Sequence, residues 1–243
     1  MTAISVGSCS LGDRPRVAAA LSDAIELSVI DRALSEGVDF LEVRADLFPR
    51  QEVVFIAEYL NRLRPRPVLL TIRHAAEGGR WSSDETSRLD WYARLLPMAD
   101  AVDVEIRSDI ATRVVDMARQ QGKPVIGSFH DFQATPDRAD LDRLAEDFSR
   151  GGMDILKVAA WCRDIRDLRR LAAFLCGREG LPMIVLGMGP AGRPGRLLFP
   201  FLGSLVTYTY LGTASAPGQL NHRELVDLLE RIRGSADSGG SQH

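Results

Sequence analysis

DILKVAAWCRDIRDLRRLAAFLC, residues 154–176, reads as one strand and one helix. Asp154–Ala159 is a short, almost unbroken apolar run, as expected of a strand buried on both faces of a parallel sheet. Asp164–Cys176 has apolar residues at helical spacing. The same unit recurs along the chain. Upstream, Val17–Leu21, Asp39–Arg44, Val68–Ile72, Ala101–Ile106 and Pro124–Phe129 read as strands. Their helices are Ser28–Glu36 closed by Gly37, Glu52–Arg64 stopped by Pro65, Asp84–Leu96, a segment capped by Ser108 and running to Gln121, and Pro136–Arg150 with Thr135 as N-cap. Downstream come strands Met183–Gly187 and Leu205–Tyr210, and a last helix over His222–Arg233. The seventh unit has many Gly and Pro over Gly187–Pro200, with room for a short helix only. Eight strands alternating with helices in about 230 residues predict a (β/α)8 TIM barrel. Ile4–Ser8 is expected to form a short N-terminal β-hairpin closing the bottom. Residues 1–233 are read as a single catalytic barrel domain and 234–243 as a disordered polar tail.

Composition narrows the function. Of 243 residues, 45% are hydrophobic and 26% charged, as in ordinary globular proteins. The net charge of −3 gives no basic field for nucleic acid. No apolar run reaches the roughly 18 residues of a membrane span, and the first residues lack a secretion signal. Cys9, Cys162 and Cys176 form no CxxC pair, which points to a reducing, cytoplasmic setting without structural zinc. Of thirty basic residues, two are lysine, Lys123 and Lys157. A chain that avoids lysine this strongly keeps one where an amine is chemically required, because arginine stays protonated.

Barrel enzymes place their sites at the C-terminal strand ends. There the chain offers Glu42 and Arg44, Arg73 with Glu77 just after it, His130, Lys157, Met188, and the loop holding Ser215 and Gln219. Lys157 lies in an apolar strand. It reads either as a desolvated amine of lowered pKa, nucleophilic toward carbonyls, or as a lysine paired with a carboxylate or reaching the barrel mouth. His130 is a proton shuttle or a hydrogen-bonded structural histidine. Glu42 and Arg44 face one way, as a core ion pair or a substrate clamp. Lys123, beside Gly122 and Pro124, reads as solvated surface. Residues 187–192 match GxGxxG, but no acidic residue occurs between Glu179 and Glu224 and Pro190 removes a donor, so dinucleotide binding is rejected. Arg193 and Arg196 in that stretch suit an external anion or solvent.

As a set these residues resemble the type I 3-dehydroquinate dehydratases. The resemblance rests on Glu42-Val43-Arg44-Ala45-Asp46, Thr71-Ile72-Arg73 with Glu77-Gly78-Gly79, Ser128-Phe129-His130-Asp131-Phe132, Asp154 to Ala159, Met188 to Arg196, and Ser215 to Gln219. It departs at Gly189-Pro190-Ala191 and Ala160-Trp161-Cys162. It implies a hydro-lyase that converts 3-dehydroquinate to 3-dehydroshikimate through a lysine Schiff base, in the shikimate pathway to chorismate and aromatic amino acids. Lys157 would form the imine, His130 move the proton and Glu77 orient His130. Arg196 would hold the substrate carboxylate. Glu42, Arg44, Arg73, Ser215 and Gln219 would bind substrate or order loops, and Met188 would pack on the ring. No metal or organic cofactor is implied, nor any nucleic acid or membrane partner, and a homodimer is expected. The rival readings are a class I aldolase and a non-catalytic barrel.

Overall fold

The structure, a computed structural model, describes residues 4–213 and 219–237. Two short antiparallel strands, β1 (Ser5–Val6) and β2 (Cys9–Ser10), open the chain. Eight parallel strands follow: β3 (Arg16–Leu21), β4 (Phe40–Arg44), β5 (Val68–Thr71), β6 (Ala101–Glu105), β7 (Val125–Asp131), β8 (Ile155–Trp161), β9 (Met183–Met188) and β10 (Val206–Leu211). They pair in chain order, with β10 returning to β3. The remaining seam, β9 to β10, is drawn together by Leu205 N–H donating to Met183 O (2.8 Å) and Val185 N–H donating to Ser204 Oγ (3.0 Å). The result is the expected TIM barrel.

Helices α1 (Leu27–Ser35), α2 (Val53–Leu63), α3 (Glu85–Leu95), α4 (Ala111–Gln120), α5 (Arg138–Gly151) and α6 (Ile165–Cys176) cover the first six strands. The seventh unit holds two one-turn helices, α7 (Gly189–Gly192) and α8 (Gly195–Leu198). Helix α9 (His222–Asp237) closes the chain and runs four residues past its predicted end at Arg233. A single glycine, Gly234, costs a helix about 1 kcal/mol and does not stop it without a following proline. No helix among the described residues is long and apolar enough to cross a membrane.

Two apolar layers follow from the period-two alternation of the strands. Outward residues such as Val43, Leu70, Val104 and Val158 pack under helix residues such as Ile56, Leu60, Val114 and Leu171. Inward residues such as Phe40, Leu69, Ile126, Ile155 and Ile184 fill the barrel. Val6, Cys9 and Leu11 belong to the inner layer, so the hairpin plugs one end. That end is the bottom, because Gly7 lies against Pro67 and Asp100, just before β5 and β6.

Several predicted boundaries move for one reason. Asp39 and Asp154, read as first strand residues, precede their strands. Their carboxylates accept the backbone N–H of Val17 (2.8 Å) and Val125 (2.7 Å), and Asp100 does the same for Val68 (2.9 Å). These aspartates satisfy backbone donors that would otherwise be orphaned at the barrel bottom. The cap of α5 is also corrected. Asp137, not Thr135, accepts from Asp140 N–H (2.8 Å), whereas Thr135 Oγ1 donates to Trp161 O (2.9 Å) and ties the β7 loop to β8. Lys123 is half-buried rather than solvated, and donates to Leu96 O (2.6 Å).

The glycines of the rejected GxGxxG have a packing purpose. A Cβ on Gly192 would fall 2.5 Å from Gly187 C, so α7 rests directly on the β9 backbone. Gly192→Ala should therefore cost about 1–3 kcal/mol, as overpacked cores do. A urea midpoint equal to that of the wild type would contradict this packing.

Candidate active site

A cavity opens where the strands end, lined by Lys157, His130, Glu77, Glu42, Arg44, Arg73, Met188, Arg196 and Gln219. Nine of the ten expected site residues thus line one cavity, and the tenth, Ser215, lies outside the described residues. Phe132, Ala159, Leu186 and Tyr208 line it as well.

Lys157 projects from the middle of β8 into this enclosure, paired in register with Ser128 on β7 and Ile184 on β9. It is 3% exposed. Its ammonium donates to Asp103 Oδ2 at 2.9 Å and to Glu42 Oε1 at 3.4 Å. Asp103 and Glu42 come from β6 and β4, so the barrel, not local sequence, assembles the triad. Asp103 Oδ1 accepts from Arg73 Nη2 (2.6 Å) and Ser128 Oγ (2.6 Å). Arg73 also pairs with Glu105 (3.1 Å), and Glu105 with Arg88 (2.9 Å). Glu42 Oε1 accepts from Thr71 Oγ1 (2.9 Å). Three cations and three carboxylates are thus buried as a neutral, interlocked set, the condition under which buried charge is tolerated.

Of the two readings of this lysine, the structure gives the one paired with carboxylates. Burial alone would lower its pKa, but Asp103 and Glu42 outweigh burial and raise it, so Lys157 rests as an ammonium. Asp103, although buried, is held below the usual carboxylate range by Arg73 and Lys157.

His130 is at the end of β7. Glu77 Oε2 accepts its backbone N–H at 2.9 Å and faces its Nδ1 at 3.0 Å. With Nδ1 engaged, Nε2 is the ring nitrogen left for a reacting proton. Burial, Arg73 and Lys157 hold His130 well below its ordinary 6.5, so it rests neutral. Burial pushes Glu77 up to about 8, against the pull of Arg73. Gly78, at φ +76°, follows Glu77, and a Cβ there would fall 2.1 Å from the Phe132 ring. This turn sets the approach of Glu77 to β7.

Glu42 and Arg44 face the same way but do not pair. Arg44 instead binds Asp46 through two bonds, 3.0 and 2.8 Å. Arg196, on α8, is 2% exposed and directs Nη1 to Tyr208 O (3.5 Å). Burial and nearby Arg193 lower its pKa to about 10. Arg193 is exposed and pairs with Glu224 at 3.6 Å, away from the cavity. Of the two arginines, Arg196 is therefore the one that lines the cavity.

Sequence reading missed Asp103 and Tyr208. Asp103 had a signal: like Lys157, it is a charge inside an apolar strand, Ala101-Val102-Asp103-Val104. Tyr208 is inward on β10, with its ring centroid 4.4 Å from Lys157 Nζ. Its hydroxyl is buried and has no hydrogen-bond partner among the described residues, an arrangement that costs about 1–3 kcal/mol.

A model of the family described as type I 3-dehydroquinase matches residues 18–236. The chain is 34% identical over 220 residues to the 3-dehydroquinate dehydratase of Thermodesulfovibrio yellowstonii, covering 89% of this chain and 95% of that one. It is 32% identical over 241 residues to the enzyme of that name from Methanosarcina barkeri, covering 94% and 99%. Among solved structures, the 3-dehydroquinate dehydratase of Geobacillus kaustophilus superposes with a TM-score of 0.86 at 26% identity, covering 96% of this chain and 97% of that one. That of Aquifex aeolicus gives 0.77 at 29%, covering 89% and 98%.

The raised pKa of Glu77 has a stability consequence. A carboxyl whose folded pKa is raised from 4.5 to about 8 favours folding below 4.5, and loses that contribution as pH rises through 8. Glu77→Gln removes the dependence. The stability of the variant relative to wild type should rise between about pH 5 and about pH 9 in urea titrations. A difference independent of pH would contradict the assignment.

Proposed function

The chain belongs to the type I 3-dehydroquinase family, and from that premise we propose how its residues carry out the dehydration of 3-dehydroquinate to 3-dehydroshikimate. The activity is that of a hydro-lyase of the shikimate pathway. The observation that carries the residue-level reading is the buried Lys157 ammonium held between Asp103 and Glu42 at the floor of a cavity that also holds His130.

Lys157 attacks the substrate ketone and forms an iminium with loss of water. The positive charge stays where the ammonium was, so Asp103 and Glu42 stabilise both states without reorganising. The iminium draws electrons from the neighbouring C–H bond, which His130, neutral at rest, breaks as a base. The enamine then expels the adjacent hydroxyl, and His130 returns its proton to the leaving oxygen. Hydrolysis of the imine frees the product and Lys157. The imine is the electron sink, so the mechanism calls on no metal or organic cofactor.

Glu77 is a positioning residue for His130. Arg196 holds the substrate carboxylate in a bidentate pair. Arg73 and Arg44, engaged by Asp103 and Asp46, order the walls more than they bind substrate. Glu42, Ser215 and Gln219 meet the substrate hydroxyls, and Met188 packs on the ring. Residues 1–233 act as one catalytic domain. The apolar side chains of Ile165, Leu198, Phe201 and Leu202, exposed on the outer surface, support a homodimer. The free cysteines Cys9, Cys162 and Cys176 suit the cytoplasm.

His130→Ala should still give a borohydride-reducible adduct but lose turnover by about 10²–10⁴-fold. Lys157→Ala should give neither adduct nor turnover. Arg196→Ala should weaken substrate binding by about 2–5 kcal/mol, measured by calorimetry. Fast turnover by His130→Ala would remove it from proton transfer.

A further inference from the structure

Glu77 reaches β7 from a single 3₁₀ turn, Ala75–Glu77, and His74 is the N-cap of that turn. The His74 carbonyl accepts the N–H of Glu77 (3.0 Å) and of Gly79 (3.1 Å). Its own backbone N–H donates to Glu105 Oε1 (2.9 Å), a member of the buried ion network. Its side chain has a further role: Nδ1 accepts the N–H of Ala76 at 3.1 Å. Caps are ordinarily Ser, Thr, Asp or Asn, whose oxygens still accept when the solution turns mildly acidic. A ring nitrogen of imidazole accepts only while it carries no proton. The capping bond therefore belongs to neutral His74, with its proton on Nε2.

A second partner faces the other side of the ring. Glu85 Oε1, on α3, lies 4.0 Å from His74 Nε2, too far for a hydrogen bond, and is buried with no hydrogen-bond partner among the described residues. The other Glu85 oxygen is taken by Arg88 Nη2 (2.7 Å) and Ser108 Oγ (2.9 Å). His74 lines a cavity separate from the catalytic one, and Glu77 is a wall of both. The ionisable groups around it are Glu77 from its own turn, Glu85 and Arg88 from α3, and Glu105, Arg107 and Asp109 from the end of β6 and the segment after it. Arg88 is committed to Glu85 and Glu105, and Arg107 to Asp147 (3.1 Å). A proton on Nδ1 would set two donors against each other at the Ala76 contact. The charge that it brings would draw Nε2 toward the unsatisfied Glu85 oxygen.

We propose that His74 is a proton-controlled positioning residue: its neutral imidazole fastens the turn that carries Glu77, and its protonation exchanges the Ala76 bond for a charge pair with Glu85, so that Glu77 loosens and His130 loses its orientation. The proton comes from solvent, since His74 is partly exposed. No group of the catalytic cavity has to give one up. His74 touches neither substrate nor His130 and acts through Glu77 alone. The inference rests on Glu77 orienting His130, and it gives turnover a dependence on an ionisation outside the catalytic cavity.

Turnover of saturating 3-dehydroquinate is followed from about pH 5 to about pH 9, a span that contains the range in which imidazoles ordinarily change charge. His74→Asn keeps an acceptor for the Ala76 N–H and does not titrate there, whereas His74→Ala has no acceptor. The ratio of wild-type kcat to that of His74→Asn cancels the titrations of His130 and Glu77, which both proteins share. This ratio should fall about 3–10-fold from the alkaline to the acid end, as the loss of one capping bond shifts a two-state turn. His74→Ala should stay about 3–10-fold below His74→Asn at every pH. In a Glu77→Ala background, His74→Asn should leave the pH profile unchanged, because the residue it acts through is gone. A ratio independent of pH, equal turnover by His74→Ala and His74→Asn, or a pH-dependent ratio that persists in the Glu77→Ala background would overturn the role of His74 while leaving that of Glu77 intact. Turnover by Glu77→Ala equal to that of the wild type would overturn the positioning role of Glu77 and this inference with it.

Discussion

A single buried ion pair organises this protein: Lys157 Nζ on Asp103 Oδ2 at 2.9 Å, with both side chains shut off from solvent. An unpaired charge at that depth is not tolerated, so the cation demands carboxylates and the carboxylates demand further cations. The demand propagates outward through Arg73, Glu105 and Arg88 until α3 is reached. Much of the upper barrel is therefore a charge-balanced scaffold. It holds the amine in place and, under the proposed mechanism, would accept the iminium without rearrangement.

The same constraint explains why the amine is protonated at rest. A lysine in an apolar strand suggests a lowered pKa when its own strand is considered alone. Asp103 is 54 residues away in sequence and reaches Lys157 through β6, β7 and β8. Local sequence holds no trace of that contact. Scarcity of lysine pointed to a residue that the fold places in the cavity, while its protonation state depended on partners that only the folded barrel brings near.

The fold was legible because strand and helix signals alternate strongly and because the inner and outer faces obey period two. Element boundaries were less so. Thr135 and Asp137 are both good N-cap residues two positions apart, and the choice was made by Trp161, whose carbonyl takes the Thr135 hydroxyl. Asp39 and Asp154 abut apolar runs and look like strand residues until the neighbouring strand supplies the N–H they accept. In the site, side chains at the strand ends were recognised from their positions. Asp103 and Tyr208 lie deeper within strands, where inward and outward polar groups look alike until the barrel closes.

The central claim is that Lys157 becomes covalently attached to 3-dehydroquinate. Borohydride reduction in the presence of this substrate, followed by intact mass and peptide mapping, tests it most directly. The account predicts one reduced adduct, located on Lys157. A protein left unmodified beside a control enzyme trapped in parallel, or an adduct located on Lys123, would contradict it.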